Sequence, residues 1–185
     1  RILIKIANFA TGILTARLLG DLAFGQYATI TAFVGMFSVF FELGLTQYVQ
    51  RSIAQDRTQT TELLSTLVTL RLILAIIGII VLTGLAFAIG HTAIIVLGVF
   101  LVTLTFVPAA LLMPLATVLT ANERFDIMAR VEIISRFLSI LFTVSVLLAG
   151  GGLIGLLFSG IFIMPIQILI CLRAIRYYQL GTIQL

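Results

Sequence analysis

Long apolar runs broken by short polar links dominate the chain. Residues 72–122, between Arg71 and Glu123, hold 51 positions without Asp, Glu, Lys or Arg. As one helix at 1.5 Å per residue this run would be about 77 Å long, more than twice a hydrocarbon core of roughly 30 Å. It therefore reads as two spans, with Gly90-His91-Thr92 as the break. Residues 137–172, between Arg136 and Arg173, give another 36 uncharged positions, with Gly150-Gly151-Gly152 supplying the reversal. Two spans precede these, separated by a turn at Gly20-Asp21-Leu22-Ala23-Phe24-Gly25. The polar stretch 47–62, with Gln47, Gln50, Arg51, Gln55, Asp56, Arg57, Gln59 and Glu62, reads as a loop or an interfacial helix. A second polar link is Ala121-Asn122-Glu123-Arg124-Phe125-Asp126. The pattern predicts an all-α integral membrane protein: a six-transmembrane-helix bundle with helices near 2–19, 26–46, 63–89, 92–119, 127–149 and 153–176.

Orientation follows from Lys and Arg. With six spans, the two ends and the even-numbered links share one side. That side receives Arg1, Lys5, Arg51, Arg57, Arg71, Arg124, Arg130, Arg136, Arg173 and Arg176, and the other only Arg17. Ten against one is a strong positive-inside bias, so both termini are expected in the cytoplasm.

Composition agrees with this class. Hydrophobic residues make up 61% of the chain and charged residues 10%, outside the range of soluble domains. The mean hydropathy is +1.26. The pI of about 9.8 comes from scattered basic residues, and without a clustered patch it does not indicate nucleic acid. The single cysteine, Cys171, has no disulfide partner or metal-ligand neighbour in sequence and reads as a small hydrophobe. The first apolar stretch is followed by more of the same without a cleavage-site pattern, and so reads as a span rather than a signal peptide. Since the sequence starts at Arg1 rather than Met, it is expected to be part of a longer chain.

Specific motifs sharpen the picture. The first hairpin, Ala16-Arg17-Leu18-Leu19-Gly20-Asp21-Leu22-Ala23-Phe24-Gly25-Gln26-Tyr27, resembles the A-R-x-L-G-x-x-x-F/Y-G-x-Y signature of polysaccharide and O-antigen flippases. These belong to the multidrug/oligosaccharidyl-lipid/polysaccharide exporter superfamily. Glu42-Leu43-Gly44-Leu45-Thr46-Gln47 followed by Arg51 is similar to the family's D-L-G-L-x-x-x-x-x-R segment, with Glu in place of Asp. Asn122-Glu123-Arg124-Phe125 resembles the E-R-F link before the fifth helix. The resemblance covers essentially the whole chain. It implies one half, the N-terminal one, of a 6+6 two-lobe fold with a V-shaped central cavity between the halves. It further implies a bacterial or archaeal cytoplasmic (inner) membrane location, polyprenyl-diphosphate-linked oligosaccharide as cargo, and coupling to a proton or sodium gradient. Membrane lipids and the missing C-terminal six-helix half are the implied partners.

The diphosphate of such a cargo calls for cationic side chains, and its sugars for polar ones. Charges below the membrane surface cost roughly 2.5–3.5 kcal/mol each on insertion scales, so those present need a reason. Arg17, Arg71 and Arg136 are the basic candidates. Arg17 would meet the diphosphate or a gate acid, or instead snorkel or pair with Asp21 at i,i+4. Arg71 lies about two turns into the third helix, facing the cavity or bridging to Glu62. Arg136 is the innermost of two i,i+4 pairs, Asp126–Arg130 and Glu132–Arg136, which also suit a solvated face. Asn8, Thr11, Gly12 and Thr15 share a narrow arc of the first helix, lining an aqueous cavity or packing closely on a neighbour. Glu42, Arg51 and Asp21 are coupling or gate candidates, with a plain interfacial acid as the alternative reading of Glu42. Pro108, Pro114 and Pro165 mark possible flexing points.

No catalytic or metal-ligating cluster is visible. One His and one Cys stand far apart, and no Gly-rich phosphate loop precedes a Lys, so ATP hydrolysis by this stretch of chain is excluded. A glycan-assembly enzyme would need a large outer loop, whereas the outer links span only a few residues. A purely structural partner subunit is one alternative, and a multidrug or other lipid exporter of the same superfamily is a closer one. Cavity charge separates the two: a cationic cavity suits diphosphates and an acidic one cationic drugs.

Overall fold

The computed structural model describes residues 2–42, 60–121 and 124–177, with side chains over most of these. Within them the chain is helical throughout, with no strand. The elements are α1 (Ile2–Glu42), α2 (Thr60–Ala88), α3 (Ala93–Leu104), α4 (Phe106–Ala121), α5 (Phe125–Leu148) and α6 (Gly152–Tyr177). Four stretches among the described residues are long and apolar enough to cross a membrane: Ser65–Ala88, Ala93–Thr120, Phe125–Leu148 and Gly152–Arg173.

The tight turns have a local physical cause. After α2, Gly90 adopts φ 85, its N–H donates to the carbonyl of Phe87, and the N–H of His91 reaches back to Ala86. After α5, Gly150 adopts φ 78, donating to Leu147 while Gly151 donates to Val146. Both are Schellman caps, which satisfy carbonyls at the helix end and need a residue in the left-handed region. The apolar helices on either side can therefore reverse within a few residues, without leaving polar backbone exposed to lipid.

Two elements differ from the sequence expectation. The first reversal is narrower than the turn read at Gly20–Gly25. Only Gly20 leaves the helix (φ 75, ψ 169), and residues 21–25 are already helical. A glycine alone can supply that conformation without a Cβ penalty. The second difference concerns the helix expected at 92–119. Ala93–Thr120 is one apolar stretch of spanning length, with the helical hydrogen-bond pattern interrupted at Thr105 between α3 and α4 while Thr105 itself stays αR (φ -65, ψ -16). Pro108 explains the break: it has no N–H for the Leu104 carbonyl, and its ring crowds that carbonyl. The Thr105 hydroxyl donates to the Val102 carbonyl at 2.6 Å. Pro114 and Pro165 lie inside unbroken helices. The segment 43–59, which includes Arg51, and the pair Asn122-Glu123 lie outside the described residues.

Two apolar clusters hold the helices together. One joins Leu67 of α2, Leu115, Val118 and Leu119 of α4, Val131 of α5 and Cys171 of α6. The other joins Ile30 and Val34 of α1, Leu82 and Ala86 of α2, Val99 and Leu101 of α3, and Leu153 and Leu157 of α6. Both α2 and α6 contribute to the two clusters and so act as long struts. Large apolar side chains such as Ile80, Phe137 and Leu169 point outward, more than 60% exposed. In lipid such a surface is solvated by acyl chains, so close packing rather than water exclusion must hold the helices. Gly98 illustrates this: a Cβ there would collide with the Ile30 side chain and come within 3.1 Å of Leu157 Cδ1.

Gly98→Leu is expected to overpack this contact by about 1–3 kcal/mol. Gly90→Ala and Gly150→Ala should each cost roughly 1–2 kcal/mol for the left-handed backbone. Thermal unfolding of the purified full-length protein checks both, with loss of stability expected in all three variants.

Candidate functional site

A cavity of about 410 Å³ opens between α1, α5 and α6, with the Thr105 break of α3–α4 on its wall. Both limbs of α1 line it: Thr11 and Thr15 before Gly20, Tyr27 and Thr31 after it. On a straight helix Thr11 and Thr31 would be about 30 Å apart. The Gly20 break is what lets one segment supply two walls.

The remaining polar walls come from two helical stripes. On α5, Ser139 and Thr143 line this cavity together with Arg136, and on α6 Ser159 and Gly160 do so. The Thr143 and Ser159 hydroxyls lie 3.4 Å apart and are buried. Ser159 donates its only proton to the Leu156 carbonyl at 2.6 Å, which leaves Thr143 as the donor across the pair. This hydrogen bond ties α5 to α6 at a polar level of the bundle.

A second cavity of about 210 Å³ adjoins the first. Arg136, Ser139 and Gly160 line both. Glu132, Ser135 and Gln167 are added in the smaller one. Along α5 the polar lining residues recur as 132, 135, 136, 139 and 143, the spacing of a single helix face.

Among the described residues, Arg136 is the only charged side chain lining the larger cavity. It is half-buried and stands near the middle of α5, about 17 Å from either end at 1.5 Å per residue. That is too far for easy snorkelling to an interface, so an intramembrane guanidinium here needs a polar surface of its own. The hydroxyl-lined cavity supplies one.

Sequence reasoning named Arg136, Thr11 and Thr15, and the structure brings these three together at one cavity. Arg17 and Asp21 are exposed on opposite sides of the Gly20 break, so the continuous-helix register assumed for their i,i+4 pair is interrupted. Arg71 is half-buried on α2 and lines neither of the two cavities. Arg17, like Arg71, lines neither cavity; Arg136 lines both, joined by Glu132 in the smaller. Asn8 and Glu42 lie on α1, their side chains outside the described part, as is Arg51 entirely. Tyr27, Thr31, Ser139, Thr143, Ser159 and Gln167 were not singled out from the sequence. The polar stripe on α5 was the available signal, hidden by the reading of its charges as surface pairs. No group of three or more potential metal ligands occurs among the described residues.

Apolar helices of spanning length around a polar, arginine-bearing cavity fit a multi-pass membrane protein. The family model described as "Polysaccharide biosynthesis protein" matches residues 1–184, and the chain belongs to that family, the polysaccharide flippases of the multidrug/oligosaccharidyl-lipid/polysaccharide exporter superfamily. No curated protein and no solved structure matches it.

Water accessibility tests the cavity directly. In a Cys171→Ala background, cysteines at Thr11, Thr15 and Ser139 are expected to react with a membrane-impermeant thiol reagent in at least one state of the protein. Cysteines at the outward-facing Ile80 and Phe137 should stay unlabelled. Equal labelling of both sets would refute an aqueous cavity.

Proposed function

We propose that the protein flips polyprenyl-diphosphate-linked oligosaccharide across the inner membrane by alternating access, for cell-surface polysaccharide biosynthesis. The observation that carries this reading is Arg136, a guanidinium at the middle of a spanning helix and facing a hydroxyl-lined cavity. Guanidinium is matched to phosphate oxygens through paired N–H donors. The surrounding Thr and Ser hydroxyls suit the polar remainder of a head group, while the acyl-facing exterior suits a lipid tail left in the bilayer. Membership of the polysaccharide biosynthesis family supports the same cargo class.

In this reading the described helices belong to one six-helix lobe with cytoplasmic termini, and the other lobe closes the cavity opposite. The two lobes rock about the bound head group. The breaks at Gly20 and Thr105, both beside the cavity, are the positions at which helices would bend. Arg17 and Arg71 are further cationic contacts along the route, with Asn8 as a polar one. Glu42, Arg51 and Asp21 serve the gate or the coupling to a proton or sodium gradient.

The test is export of surface glycan by the full-length protein in a flippase-null cell. Arg136→Ala should lose roughly 10- to 100-fold in transport, the equivalent of about 1.5–3 kcal/mol for a hydrogen bond to a charged group. Arg136→Lys should keep part of the activity, since the charge remains but the fork is lost. Normal export by Arg136→Ala at normal protein level would overturn the proposal.

A further inference from the structure

Arg136 stands where the two cavities adjoin and lines both, with Ser139 and Gly160. The smaller one is also lined by Glu132, the only acidic side chain lining either cavity among the described residues. Glu132 precedes Arg136 by four positions on α5. That spacing puts the two Cβ atoms about 5–6 Å apart on one helix face, in the favourable order of acid before base. Neither side chain is locked into the apolar packing: Glu132 is exposed, Arg136 is half-buried, and neither belongs to the two core clusters. The paired N–H donors that match phosphate oxygens match a carboxylate equally well. One guanidinium thus has two alternative partners, a carboxylate on its own helix and an anion in the larger cavity.

A carrier of an anionic head group faces two demands that a lone arginine does not meet. It must let the head group go after binding it, and it must return empty. Charge-assisted forks onto a diphosphate hold tightly where the local dielectric is low. A guanidinium left without a partner inside the bundle carries its full desolvation penalty. A carboxylate one turn away answers both demands. With the larger cavity empty it neutralises the guanidinium, and with the head group bound it offers the guanidinium another partner.

We infer that Glu132 is an internal counter-ion for Arg136. It competes with the cargo phosphate for the guanidinium, and so sets how readily the head group is released and how easily the empty protein returns. The inference rests on the proposed cargo and adds to it a role for Glu132. If Glu132 holds Arg136 for about 70–90% of the time in the empty protein, the apparent affinity for phosphate is lowered about three- to tenfold.

Two measurements on the full-length protein test this: binding of a polyprenyl diphosphate to purified protein, and glycan export in a flippase-null cell. Glu132→Gln keeps the shape of the side chain and removes its charge. This variant should bind the probe about three- to tenfold more tightly, yet export more slowly at normal protein level. A residue that only stabilised its helix would leave affinity unchanged or lower it. In an Arg136→Ala background the same substitution should not change affinity, because the carboxylate acts through the guanidinium. Where Arg136→Ala fails to accumulate, Arg136→Gln serves as that background. The inference is overturned if Glu132→Gln binds like wild type or more weakly, or if it binds tighter but exports at the normal rate or faster. Equal tightening in the Arg136→Ala background also overturns it, since Glu132 would then be a plain repulsive charge. Wild-type binding that weakens in Arg136→Ala upholds the cargo reading whatever Glu132 does. If wild type does not bind the probe, or Arg136→Ala binds it like wild type, the cargo reading falls and the counter-ion with it.

Discussion

Placing a guanidinium halfway along a membrane helix carries an energetic cost that shapes the surrounding structure. Estimates of that cost start at about 2.5–3.5 kcal/mol and rise well above it when no water or partner is near. Arg136 is in that position on α5, and a face turned to acyl chains would leave five donors unsatisfied. The structure offsets the cost by collecting polar side chains from both limbs of α1, from the α3–α4 break and from α6 around the same space. Three of the hydroxyls do this economically, because those of Thr31, Thr105 and Ser159 donate to carbonyls of the preceding turn. The carboxylate of Glu132, one turn away on the same helix face, adds an acceptor of opposite charge to the smaller cavity.

A polar interior on this scale survives only if the apolar packing does not run through it. The two core clusters are made of different residues, and α2 and α6 take part in each. Arg136, Ser139 and Thr143 belong to neither. The helices are thus fastened through apolar contacts while a polar space remains beside α1. Close contacts such as Gly98 against Ile30 and Leu157 fix the fastened part. The breaks at Gly20 and Thr105 fall at the cavity wall or next to it. Stiff struts and local breaks in one bundle are the combination that a cavity of changing shape requires.

Much of the fold was legible in the sequence because lipid leaves few solutions. An uncharged run of 51 residues cannot be one span, and Gly90 marks where it must turn; the Schellman geometry there gives the reason. The split at Thr105 was less visible, since a proline can either break a membrane helix or be absorbed, and Pro108 and Pro114 do one each. The narrow reversal at Gly20 escaped because Gly20 and Gly25 looked alike in sequence, and only the first takes a positive φ. The site was legible in part. Thr11 and Thr15 stood out as a polar arc on an apolar helix. Ser135, Ser139 and Thr143 did not, because Glu132 and Arg136 on the same face drew attention to ion pairing. Whether an α5 stripe faces water or another helix depends on where α1 lies, and no local pattern on α5 records that.

Arg136 is proposed to meet the phosphate of a lipid head group inside the bundle. The most direct test is an experimental structure of the full-length protein with a polyprenyl diphosphate bound. Phosphate oxygens are expected within hydrogen-bond distance of the Arg136 guanidinium, with the polyprenyl chain leaving toward the bilayer. A head group bound elsewhere, with Arg136 turned to lipid or locked to Glu132 while the cavity stays empty, would contradict it.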